Sequence, residues 1–163
     1  MKNRKRNQKG FSLIELLIVV AIILIIAAIA IPNLLQARVA ANEASAVGSL
    51  RTINTAQITY NENYPTVGFA PTLVALGGAS CTPPDETSAC LIDTQLASGT
   101  KSGYSFSSTG IGSPAGGYFA VGLPTSGNGN RSFCSTEDGV IHYDPTGNAI
   151  PDHDSCIALT QLQ

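Results

Sequence analysis

The chain has 163 residues, of which 44% are hydrophobic, 12% charged and 6% aromatic. That length fits one domain with an appendage, and so apolar a composition excludes a disordered chain, which needs high charge and few apolar residues. With no Trp and one Met, a large aromatic core is not expected. The formal net charge of −2 averages opposite halves: residues 1–10 hold Lys2, Arg4, Lys5, Arg6 and Lys9 and no acid, whereas residues 11–163 hold four basic residues against eleven acidic ones. A basic tip on an acidic body speaks for topogenesis and against nucleic-acid binding.

The tip leads into Phe11–Ile31, an apolar stretch broken only by Ser12 and Glu15, with sixteen consecutive apolar residues from Leu16 to Ile31. As a helix it would be about 31 Å long, the thickness of a bilayer core. The preceding positive charges stay cytoplasmic and the remainder is exported, and four cysteines agree with an oxidising compartment. A cleaved secretory signal competes with this reading, since Ala28-Ile29-Ala30 has the required A-x-A form. The apolar run, however, exceeds the ~7–15 residues of such a signal. A plain anchor leaves Glu15 unexplained, because an acid within the bilayer is costly.

The segment from Lys9 to Ile22 (KGFSLIELLIVVAI) resembles the N-terminus of type IV pilins and of type II secretion pseudopilins: a basic leader, a Gly-Phe junction, an acid five residues after the Gly and Pro32 ending the apolar stretch. The resemblance implies that a prepilin peptidase cuts between Gly10 and Phe11 and methylates the amine of Phe11. It implies an α+β fold, a long helix packed on a small antiparallel sheet of about four strands. It also implies a helical filament of identical subunits, drawn from the inner membrane by an assembly ATPase and a platform protein. On this reading the chain divides into a removed leader (1–10), a transmembrane and filament-core helix (11–32), an amphipathic helix (33–62) and an exported head (63–163). Glu15 would favour the positive end of the helix dipole and find its partner in a neighbour's Phe11 ammonium, setting the axial register. A pseudopilin or minor pilin shares the motif, and a secreted soluble protein is a further alternative. Adhesion, motility and DNA uptake all belong to such filaments.

Pro32 removes a backbone donor and predicts a kink, because helix-forming sequence resumes at Asn33. Beyond it, Ala40, Ala44, Val47, Leu50, Ile53, Ala56 and Tyr60 recur at three- and four-residue spacings, an apolar stripe suited to lying on a sheet. Composition then changes: residues 65–163 contain fourteen of the sixteen glycines and eight of the nine prolines, the mark of turns and short strands. Residues 65–103 read as a connecting loop with short helical turns, as at Thr72–Leu76. Strands are expected at Tyr104–Ser108, Tyr118–Leu123, Arg131–Ser135 and Val140–Tyr143. Glu137-Asp138-Gly139 suits a hairpin with Gly in the left-handed position.

Of three possible disulfide pairings, proximity favours Cys81–Cys90 with Cys134–Cys156, and the crossed pairings stay open. The absence of any C-x-x-C pair speaks against metal ligation by cysteine. Asp144, Asn148, Asp152 and Asp154 gather oxygen-rich side chains that would suit calcium. Their spacing departs from the EF-hand loop, so they read as a solvated turn and no metal or other cofactor is expected. His142 and His153 have no convincing catalytic or metal spacing and read as surface residues. No G-x-S-x-G or phosphate loop occurs, and no enzymatic activity is expected.

Overall fold

A computed structural model describes residues 11–78 and 83–162. Its first element, α1 (Leu13–Asn63), is 51 residues long and continues through Pro32. Helix formers dominate its length, and the polar β-branched residues are accommodated locally. Thr52, Thr55 and Thr59 turn their hydroxyls back onto the carbonyls four residues earlier, at 3.0–3.1 Å, as such side chains do inside helices.

Two compact units meet within α1, one ending at Ala37 and the other beginning at Arg38. The first is helix alone. Its apolar stretch has the length and composition to cross a membrane, and its large apolar side chains from Phe11 to Leu35 are exposed.

In the second unit the remainder of α1 lies on a six-stranded antiparallel sheet in the order β1-β2-β3-β4-β5-β6. The strands are β1 (Thr100–Lys101), β2 (Tyr104–Gly112), β3 (Ala115–Pro124), β4 (Ser132–Thr136), β5 (Ile141–Asp144) and β6 (Thr160–Gln161). Three short helices complete it: α2 (Leu73–Leu76), α3 (Thr94–Ala97) and α4 (His153–Ile157). Each is opened by an Asx or Thr cap: Thr72 accepts from Ala75 N–H, Asp93 from Leu96 N–H and Asp152 from Ser155 N–H. The α+β class and the four central strands match expectation. The expected count of four is corrected to six by β1 and β6, two-residue edge strands too short to carry an alternating pattern. The β4–β5 hairpin turns as expected on Gly139, whose φ of 71° lies in the left-handed region and whose N–H donates to Thr136 O at 3.0 Å.

The sheet has two covered faces. Its inner face and α1 bury Leu50, Ile53, Tyr60, Tyr104, Phe106, Tyr118 and Phe133 together with Leu76 and Leu96 from the connecting helices. The core is therefore aromatic despite the chain's low aromatic content: Tyr60, Tyr104, Tyr118 and Phe133 are its largest fully buried side chains. Few aromatics suffice because most of them pack on one side of the sheet, with Phe119 set against the opposite cluster. Gly129 packs so tightly on the Tyr104 hydroxyl that a side chain there would overlap it. The opposite face carries a smaller cluster, Val121, Cys134, Ile150 and Cys156.

Candidate assembly site

The apolar segment begins at a built helix start. Ser12 precedes the first helical residue, and its backbone N–H donates to Glu15 Oε2 at 3.2 Å. This is the reciprocal half of an S-x-x-E capping box, in which an acid three residues into the helix reaches back to the capping residue's N–H. The carboxylate therefore has a partner within its own chain, in addition to the neighbouring subunit's Phe11 ammonium expected for it. Phe11, next to the helix start, is 86% exposed. Gly10 lies outside the described residues.

In the second unit, α1 presents polar side chains to the sheet. Glu43 is buried and its carboxylate is fully occupied. One oxygen accepts from the backbone N–H groups of Asn130 and Arg131, at 2.9 and 3.3 Å, and the other accepts from Arg131 Nε at 2.8 Å. The guanidinium also pairs with Glu43 Oε2 at 2.7 Å and stacks on the rings of Phe133 and Tyr143 at 5.4 and 5.5 Å. Beside this pair, burial and then the nearby Glu43 charge push the Tyr104 phenol up to about 12.

About one turn on from Leu50, Asn54 donates to Ser135 Oγ at 2.8 Å and accepts from the Tyr118 hydroxyl at 3.0 Å. Burial holds that phenol well above its ordinary range. Gln57 then clamps the connecting loop, donating to Ala70 O and accepting from Ala70 N–H, with a further bond to Ser108 Oγ at 2.9 Å. The expected stripe is thus displaced: Leu50, Ile53, Ala56 and Tyr60 are buried, whereas Ala40 and Ala44 are exposed and Glu43, Ala46 and Ser49 take the inward positions. A hydropathy pattern misses this seam because it scores Glu, Asn and Gln as outward.

Cys134 of β4 and Cys156 of α4 form a disulfide with their Cα atoms 6.0 Å apart. The other expected bridge, Cys81–Cys90, includes Cys81, which lies outside the described residues. The four oxygen-bearing residues weighed for calcium serve local turns. Asp144 accepts from Thr146 N–H and Oγ1, bonds that hold its carboxyl below the usual range. Asp152 caps α4 and is lowered chiefly by Ser155 N–H, and Asn148 offers its backbone carbonyl to Ser132 Oγ at 2.6 Å. Asp154 meets His153 Nδ1 at 3.1 Å. Among the described residues no group of three or more His, Cys, Asp and Glu is placed to hold a metal ion.

The reading of both histidines as surface residues is corrected for His142. It is 2% exposed, its Nδ1 lies 2.9 Å from Leu159 O, and its Nε2 lies 3.9 Å from Asp138 Oδ2. Strand β5 points it at the outer face, where α4 and the C-terminal segment cover it. His153 is partly exposed and sits between two carboxylates.

Comparison with known proteins bears on the N-terminal part. Residues 5–31 match the family model of the prokaryotic N-terminal methylation motif. The chain is 71% identical over 38 residues to the type IV wide pilus major component PilA4 of Thermus thermophilus, covering 23% of this chain and 29% of that protein. It is 43% identical over 72 residues to the type IV major pilin protein PilA of Myxococcus xanthus, covering 40% of this chain and 33% of the relative. The similarity therefore spans about a third of each relative's length.

Proposed function

We propose that the chain is a prepilin, the precursor of the repeating subunit of a type IV pilus. The observation that carries the reading is the coupling of a methylation motif to an apolar helix segment whose large side chains are exposed. Roughly 25 cal/mol per Å² favours removing such surface from water. A bilayer before assembly and neighbouring helices after it both meet that demand. The exchange of lipid for helix contacts leaves burial energy nearly balanced, so direction comes from outside the chain, from an assembly ATPase and a platform protein.

In this reading prepilin peptidase removes residues 1–10 on the cytoplasmic face of the inner membrane. Gly10 offers close backbone approach at the cut, and the new amine of Phe11 becomes N-methylated with its charge kept. The Glu15 carboxylate, already turned toward the helix start by Ser12 N–H, takes a neighbour's Phe11 ammonium as a further partner and sets the register between subunits. Residues 11–32 form the filament core, with Pro32 allowing a bend. Residues 63–163 lie outside the membrane as the head, at the cell surface once assembled. The role is structural, not enzymatic. The names of both relatives are those of pilus subunits, which favours a pilus over the type II secretion pseudopilus.

Mass spectrometry of the N-terminus, with electron microscopy of sheared surface material, tests this. A mature start at methyl-Phe11 in the main protein of long filaments is expected. A start at Ile31 overturns it in favour of a cleaved secretory signal, and a methyl-Phe11 start without surface filaments overturns it in favour of a pseudopilin. Glu15→Ala is expected to insert normally and to lose filaments, and normal filament numbers would remove Glu15 from the register role.

A further inference from the structure

The outer face of the second unit is covered by the C-terminal segment, from the α4 cap at Asp152 to β6. The disulfide holds it at Cys156, and β6 pairs with β5 through Thr160 and Gln161. At the start of α4, His153 makes a contact of another kind. Its Nε2 lies 3.0 and 3.1 Å from the two carboxylate oxygens of Glu137 in the β4–β5 turn. Its Nδ1 lies 3.1 Å from Asp154 Oδ1 on α4 itself.

A neutral imidazole has one N–H and one lone pair, and an ionised carboxylate only accepts. Both contacts are hydrogen bonds at once only when the ring is an imidazolium. Loss of the proton leaves a lone pair facing a carboxylate oxygen and breaks one of the two.

We infer that His153 is a pH-dependent clasp, tightest as an imidazolium on Glu137 and loosened by its deprotonation, which controls how firmly α4 and the C-terminal segment hold to the β4–β5 turn. The charges facing it support this. Asp152 at the α4 cap, Asp154 on α4 and Glu137 on the turn are all acidic, the third wall (Ile111, Gly116 and Gly117) is uncharged, and among the described residues no Lys or Arg lines the groove. The other imidazole nearby, His142, is buried on β5 and faces Asp138. The His153 pKa is held above its ordinary value chiefly by the Asp154 contact, against the opposing effect of desolvation, with the Glu137 contact and charge adding to the rise. For a raised pKa the contribution to folding is complete below the unfolded value near 6.5 and is lost as pH rises through the folded value.

Hydrogen exchange of the full-length chain in detergent micelles, read over residues 152–161 from about pH 6 to about pH 9, tests the clasp. After correction for the intrinsic base-catalysed rate, opening of this segment is expected to rise roughly two- to fivefold, the range of a partly exposed ion pair. The rise should vanish in His153→Gln and, independently, in Glu137→Gln. The His153 imidazole, followed by NMR, should titrate at lower pH in Glu137→Gln than in the wild type. A flat wild-type profile, or wild-type behaviour of both the exchange and the titration in Glu137→Gln, would overturn the inference. A His153→Gln chain that fails to fold leaves Glu137→Gln to decide it.

Discussion

One helix, α1, obeys opposite rules in its two parts. Up to Leu35 it shows large apolar side chains on every side, and from Glu43 to Tyr60 it buries Glu43, Asn54 and Gln57 beside its leucine and isoleucine. Hydropathy ranks the first part as interior and much of the second as surface. What decides burial is the partner. The first part has no sheet of its own against which to place its side chains. In the second part each inward polar group meets a fixed donor or acceptor at hydrogen-bond distance, which removes most of the penalty of leaving water.

The sharpest way to break the contrast is to loosen the second part while leaving the first alone. Cys156→Ser removes the disulfide and is expected to cost the second unit about 2–5 kcal/mol. Denaturant unfolding in micelles should register the loss, and membrane association should stay unchanged. The converse substitution, Val20→Arg, places a charge near the middle of the apolar stretch and is expected to cost about 2.5–3.5 kcal/mol of insertion. Carbonate extraction of membranes checks it, and the near-ultraviolet dichroism of the aromatic core should not move.

Glu43→Ala strips Arg131 of its partner and frees two backbone N–H groups. Because the Arg131 side chain is 38% exposed, water takes up part of the loss, and about 2–3 kcal/mol is expected, visible in the same unfolding experiment. Thr55→Ala, on the exposed face of the same helix, should change stability by less than about 0.5 kcal/mol. A Thr55 effect as large as that of Glu43 would mean that the buried polar seam is not what joins helix to sheet.

Much of this is legible in the chain itself. The apolar run, the leader charges and the glycine-led hairpin at residues 137–139 act through local chemistry, and local chemistry is written along the chain. Ser12 and Glu15 were equally readable as a capping box. The acid's cost in lipid points to a partner in another subunit, whereas its three-residue spacing points to the Ser12 N–H. The polar seam was not legible: Glu43 is 88 residues from Arg131 and Asn54 is 81 from Ser135, so nothing near them in sequence marks them as inward. His142 hides for the same reason. Its cover, the segment around Leu159, arrives only after the chain has turned through α4. Strands β1 and β6 are two residues each and exist because a neighbour is there to pair with them.

The bond between Cys134 and Cys156 spans 22 residues, and the loop it closes contains β5, the exposed turn at Asp144–Gly147 and the start of α4. A protease that cuts within that turn therefore releases no fragment. The two pieces stay joined through sulfur, and β5 remains hydrogen-bonded to β4. Such a nicked molecule would run as intact on a non-reducing gel and separate into two bands only after reduction. Damage to the outer surface of this protein can accumulate without the chain coming apart.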